Sequence, residues 1–373
     1  MGSNPTLPAM STPVRTTSRV SIAVAAVLTA AIGVPAGAQS VSSVTAGPPL
    51  PRIVPLESPA TALIQAVHAV DPLVIWASGH KGNVLRSRDG GHTWERLETP
   101  VGDTLEFRDV HAVNADTAWI LSAGDGPKSR IYRTTNGGAT WKLQFINSDS
   151  AAFYDCLSFG NSRTGIAYGD ATQRRTNLLR TDDGGDTWRL LAPAAVPEPL
   201  PGEGAFAASG LCVVHADANT VFVATGAPGS RLFRSRDAGK TWTAENTPFT
   251  RGIAAGLSGM SFATPQRGIA VAGDMNRLRT DSAQAVVGIT TDGGRTWAMR
   301  SRPPRPGALA GVTWLPDVGP GVAVAVGFGG AFYTLDEGRT WQIITTDVTT
   351  GVSARGRQVW IGGANGKLWR VEF

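Results

Sequence analysis

The sequence predicts an all-β fold: a seven-bladed β-propeller of four-stranded antiparallel blades, the ring closed by an N-terminal strand joining the C-terminal blade. Three observations carry this. An octapeptide, S/T-x-D/N-x-G-x-T-W, occurs six times, as Ser87–Trp94, Thr134–Trp141, Thr181–Trp188, Ser235–Trp242, Thr290–Trp297 and Thr334–Trp341. Its closing tryptophans stand 47, 47, 54, 55 and 44 residues apart, a period of the length that propeller blades produce. The two ends of the chain each hold part of one further unit.

Each copy of the octapeptide, called the box below, sits where a hairpin must turn. Asp89, Asn136, Asp183, Asp237, Asp292 and Asp336 offer short acceptor side chains to nearby backbone N–H groups. The glycine two residues on supplies positive φ, the threonine closes the turn, and the tryptophan brings a large ring to bury between sheets. These carboxylates therefore read as structural rather than as calcium ligands or catalysts. Before each box comes a short strand such as Ile131-Tyr132-Arg133, and further upstream a small-residue apolar run such as Ala118 to Gly124 or Val322 to Gly327. Such runs suit a strand covered on both faces. An inner strand precedes them, as at Arg108 to Val113, and an outer one follows the box, as at Glu95 to Leu97. Four antiparallel strands make a blade. The tail from Gln342 to Phe373 repeats the unit and stops where its box would begin, while Arg52-Ile53-Val54-Pro55-Leu56 is an outer strand without a box before it. Joined, they complete a seventh blade and leave no open sheet edge.

Residues 1–38 read as a signal peptide: Arg15 and Arg19, an apolar run from Val20 to Val34, and Ala36-Gly37-Ala38 before Gln39. The run is shorter than the about 18 residues of a membrane span. The expected organisation is a signal over 1–38, a flexible lead over 39–51 and the propeller over 52–373, in a periplasmic or secreted protein with no integral span after cleavage. The chain carries +5; removing Arg15 and Arg19 leaves +5 − 2 = +3. That is mildly basic, without the dense Lys/Arg runs of a nucleic-acid binder. Cys156 and Cys212 fall on inner strands of adjacent blades, which fits either a disulfide or two buried thiols.

No catalytic cluster is recognisable. His68, His80, His92, His111 and His215 lack metal-ligand spacing, and neither a nucleophile elbow nor a phosphate loop is present. No metal and no cofactor are expected. His68 and His111 hold matching inner-strand positions facing the central channel. Arginine recurs immediately before the box, at Arg86, Arg133, Arg180 and Arg234, with Arg370 in the matching place of blade 7 and Ile289 and Tyr333 in blades 5 and 6. Stacking on a box tryptophan or pairing with a neighbouring carboxylate accounts for these. The long insertions, Pro193 to Ser209, Asp274 to Val287 and Arg300 to Ala308, all fall on the rim opposite the boxes, with Arg130, Arg174, Arg175, Arg231, Arg277 and Arg279. Variable loops on a rigid scaffold commonly carry binding, so these arginines are the candidate contacts for an acidic or membrane-associated protein segment, or for another polyanion.

These motifs resemble the Asp-box, or BNR, propellers over residues 52–373. Within that group the box in nearly every blade of a single ring is most similar to the photosystem II assembly factor family. The resemblance implies a non-enzymatic, monomeric scaffold outside the cytoplasm that assists membrane-complex assembly, with an arginine-rich patch at Arg86, Arg133, Arg180 and Arg234. Sialidases and other Asp-box glycoside hydrolases supply the alternative. They are similar in box sequence but have six blades, and Arg52-Ile53-Val54-Pro55 only partly echoes their Phe/Tyr-Arg-Ile-Pro motif. The tyrosines are Tyr132, Tyr154, Tyr168 and Tyr333, none with an evident glutamate partner. A hydrolase would place a tyrosine, a carboxylate pair and arginines at the channel mouth, whereas a scaffold would show only a charged rim.

Overall fold

Seven four-stranded antiparallel sheets form the structure, a computed structural model describing residues 50–373. The expected signal peptide, and all but Leu50 and Pro51 of the lead, lie outside the described residues. Blade 2 is representative: inner strand Phe107–Ala112, then Ala118–Ser122, Arg130–Thr134 and the outer Lys142–Ile146. The inner strands of the other blades are Ile64–Ala69, Tyr154–Phe159, Val213–His215, Ala255–Phe262, Leu309–Trp314 and Thr349–Arg355. The apolar runs upstream of the boxes are the second strands. Ala118–Ser122, Val221–Ala224 and Ala323–Gly327 are buried at every residue, because each is covered by a sheet on either side.

Blade 7 takes three strands from the C-terminus and Arg52–Leu56 from the N-terminus. The register pairs Arg52 with Glu372 and Leu56 with Leu368. The two ends of the described chain are thus hydrogen-bonded to each other, and ring closure follows.

Each box is a closed hydrogen-bonding unit. In blade 1 the Ser87 hydroxyl donates to Asp89 Oδ1 at 2.8 Å and accepts the Gly91 N–H at 2.8 Å. Thr93 gives its N–H to Asp89 Oδ1 and its hydroxyl to Oδ2. Asn136 keeps the geometry with one bond reversed, its Nδ2 donating to Thr140 Oγ1. Slight burial works against the Asp89 carboxylate, but the bonds from Thr93 and Ser87 hold its pKa down at about 2, and Asp237 and Asp292 behave alike. The box tryptophans differ from expectation. Trp242 and Trp341 are buried, but Trp94, Trp141, Trp188 and Trp297 are half-exposed. The fully buried tryptophans are Trp76, Trp119 and Trp360 on second strands.

Candidate functional site

The arginines before the boxes face the next blade rather than solvent. Arg86 donates from Nη1 to Ala115 O and to Gly137 O, a carbonyl of the blade 2 box, and from Nη2 to Glu95 at 2.7 Å. Arg180 reaches Ala238 O, Arg234 reaches Gly293 O and Arg370 reaches Gly90 O. Arg133 lies over Trp119 against Gly184. Arg86, Arg180, Arg234 and Arg370 thereby tie their blades to a box backbone in the following one. The tryptophans beneath Arg86 and Arg133 are Trp76 and Trp119, from second strands and not from boxes. Arg370 to Gly90 makes the same tie across the closure of the ring. Blades 5 and 6 carry Ile289 and Tyr333 there, both buried, and Arg267 and Arg300 of blade 5 reach Glu337 of the blade 6 box instead. Because Arg86, Arg234 and Arg370 are buried, these positions form no exposed patch.

On the opposite rim the six candidate contacts divide. Arg174, Arg175, Arg277 and Arg279 are exposed; Arg174 stands 4.0 Å from Glu198 and Arg277 3.8 Å from Asp274. Arg130 folds back onto Pro127 O and the Tyr132 hydroxyl. Arg231 is not available to a partner: its guanidinium grips the fully buried Glu203, which also accepts the Thr225 hydroxyl.

Glu203 anchors an insertion that does more than decorate the rim. Residues 204–211 cross the central channel as a plug. Gln65 of blade 1 donates to Ala208 O at 2.5 Å and to Ala207 O at 3.2 Å, and the Ser209 hydroxyl donates to Ala310 O of blade 6. Gly210 passes the Asp109 carboxyl of blade 2 at φ 77°, where a Cβ would collide with it. On the blade 3 side, Asp170 accepts the Ala205 N–H at 3.1 Å and Asp155 accepts that of Ala207. Cys156 and Cys212, joined as a disulfide, fix blade 3 to the residue where the plug re-enters blade 4. The plug divides the channel into two cups.

The cup on the insertion-bearing rim encloses about 600 Å³, within the range of ligand sites. Its wall is apolar, from Phe153, Phe206, Ile253, Met275, Leu278 and Phe328. Ile253 is 92% exposed, an unusual position for an isoleucine unless something covers it. The floor is polar. Asp155 and Asp170 face each other and share a proton, because burial and their mutual repulsion push Asp155 well above the carboxylate range and burial raises Asp170 to about 6. Arg108 pairs with Glu106, which also lies 3.5 Å from His80.

The cup toward the boxes encloses about 370 Å³. His68 and His111 meet there with ring centroids 4.3 Å apart. Burial, reinforced by Arg355, lowers His68 to about 3, and His111 falls in the same direction. Among the described residues no three His, Cys, Asp or Glu side chains could hold a metal ion, and no helix is long and apolar enough to cross a membrane.

The plug and the Asp155–Asp170 pair are absent from the expectations drawn from sequence. A signal was present for both. Asp109 and Asp155 are lone carboxylates inside otherwise apolar inner strands, and Ala205 to Ser209 is a small apolar run within a segment read as a surface loop.

No protein-family model matches the chain, and no curated protein matches it either. Solved structures do. YCF48 bound to a D1 peptide superposes with a TM-score of 0.62 at 17% identity, over 88% of this chain and 100% of that one. YCF48 from Cyanidioschyzon merolae gives 0.63 at 16%, over 86% and 98%. The GH74 xyloglucanase from Xanthomonas campestris gives 0.60 at 16%; the match covers 85% of this chain and 53% of the enzyme. The chain thus spans about half of that glycoside hydrolase and the whole of the single-ring YCF48 fold. At these identities the likeness is one of fold: this chain is a seven-bladed propeller similar in architecture to YCF48.

Proposed function

We propose that the protein is a non-enzymatic scaffold acting outside the cytoplasm, of the Asp-box, assembly-factor type, which binds an extended segment of a protein partner at the insertion-bearing cup. The carrying observation is the cup itself: a wall of aromatic and aliphatic side chains, with Ile253 left in water, beside the exposed Arg174, Arg175, Arg277 and Arg279. An apolar side chain of the partner fills the cup, and acidic residues flanking it meet the arginines, so charge sets orientation and encounter rate. YCF48 offers the parallel of a propeller that holds a peptide.

The glycoside hydrolase alternative draws on the Asp155–Asp170 pair at this mouth. Glycosidases keep their two carboxyls about 5 Å apart or more, to admit substrate or water between them. Carboxyls sharing one proton leave no such room, and here both also accept plug amides. Tyr168, the tyrosine beside them, is fully buried. Binding therefore accounts for the pair better than hydrolysis.

The test is cross-linking capture from a cell-envelope extract with the mature protein, the Arg174, Arg175, Arg277 and Arg279→Glu variant, and Ile253→Asp. A single partner, cross-linked at the cup through an acidic segment and lost by both variants, is the expected result. A partner retained equally by all three proteins, or cross-linked elsewhere, would refute the reading.

A further inference from the structure

We propose that the other cup, on the box side of the plug, is a binding site for a small oxyanion, a carboxylate or a phosphate. It is independent of the partner-binding surface on the opposite rim.

The argument begins with how the blades are stapled around this cup. Ser353 Oγ accepts the Ala69 N–H of blade 1 at 3.0 Å, and Ser261 Oγ accepts the Trp314 N–H of blade 6 at 3.2 Å. A hydroxyl whose oxygen is held as an acceptor still has its proton to give, and neither proton has an acceptor among the described residues. Both side chains line the cup. His215 lines the cup as well, held neutral because burial lowers it to about 4, with Nδ1 3.0 Å from Ser158 Oγ.

Charge favours the same ligand. Arg355 stands at the mouth with Nε on Val70 O and Nη1 on Ala354 O. No carboxylate lies within 4.0 Å of it among the described residues, although Asp71 is near enough to be felt. Its field reaches His68 and His111 and helps hold both neutral. Two acidic residues line the cup. Burial against the plug pushes Asp109 well above the ordinary carboxylate range. Asp217 has Oδ1 occupied by the Asn219 and Thr220 N–H groups of its own turn. The cup thus presents one guanidinium and two hydroxyl protons, and it is closed at its inner end by the plug. Its volume suits a molecule the size of a dicarboxylate or inorganic phosphate rather than a polypeptide.

An anion beside Arg355 would offset its field, which adds to burial in holding His68 and His111 low, so binding raises the pKa of both. That gives a readout which a purely structural role for these residues would not move. Succinate, inorganic phosphate and the neutral succinamide are titrated into the full propeller while the histidine Cε1–H resonances are followed by NMR. The expected result is a saturable shift with succinate or phosphate, none with succinamide, and an upward move of the His68 and His111 pKa values. Whichever anion binds more tightly names the ligand's chemistry. Arg355→Gln should weaken binding about tenfold or more, with Arg355→Lys retaining most of it. The proposal is overturned by the absence of a saturable shift with either anion, by equal binding of succinamide, or by unchanged affinity in Arg355→Gln.

Discussion

Replacing Asp170 by asparagine should remove a pH dependence of stability that originates at its own carboxyl. In the folded protein burial holds a proton on Asp170 that the unfolded chain releases near the ordinary aspartate pKa. Asp170 is raised from 3.8 to about 6, about two pH units, and each is worth about 1.4 kcal/mol. The sign follows from proton counting. Between those two values the folded state binds more protons than the unfolded one, so the contribution is complete only below pH 3.8 and is lost as pH rises through 6. The loss amounts to about 3 kcal/mol. In Asp170→Asn the carboxamide oxygen still accepts the Ala205 N–H, so the plug remains seated. The assay is urea unfolding followed by tryptophan fluorescence, for both proteins, at about pH 4.5 and about pH 7.5. Histidine contributions are common to both and cancel in the difference. The variant should gain about 2 kcal/mol on the wild type between the two pH values. Parallel pH profiles would refute the raised Asp170 carboxyl and the account of the plug built on it.

Further predictions concern the ring. Arg86→Met should cost about 2 kcal/mol by leaving the Ala115 and Gly137 carbonyls without their donor, read as a lower urea midpoint with an unchanged m-value. Reducing Cys156–Cys212, or changing both to serine, should cost about 4 kcal/mol from the loop entropy of a 56-residue separation, seen as a lower melting temperature. His68 falls from 6.5 to about 3 in the fold; the unfolded chain therefore takes up a proton first as pH drops below 6.5, and stability is lost on acidification. His68→Gln should abolish about 3 kcal/mol of the fall between pH 6.5 and pH 4, measured by the same unfolding series. If the N-terminal reading holds, intact-mass analysis of the exported protein will show a chain beginning at Gln39; a chain retaining Arg15 and Arg19 would contradict it.

The architecture was legible in the sequence because a propeller is built from local units. A box closes on itself within eight residues, Asp89 with Ser87 and Thr93, so its residues declare themselves at a fixed spacing whatever surrounds them. A second strand buried on both faces declares itself as an apolar run. Even ring closure could be read, since the tail lacks the strand that Arg52–Leu56 supplies. What the arginines before the boxes do was not legible. Arg86 and Arg370 find their acceptors 51 and 280 residues away in sequence, and nothing local separates an arginine that ties two blades from one that greets a partner. The channel was hidden for the same reason. The plug is irregular, so it carries no period. Gln65, Asp109, Asp155, Asp170 and Ala310 become its neighbours only when the ring closes. The sequence by itself determined the blade, the blade count and the closing strand, since these follow from short-range hydrogen bonding and from which residues must leave water. Only the tertiary structure decided which charged groups are buried, which share a proton and which face solvent, because those properties depend on contacts between blades.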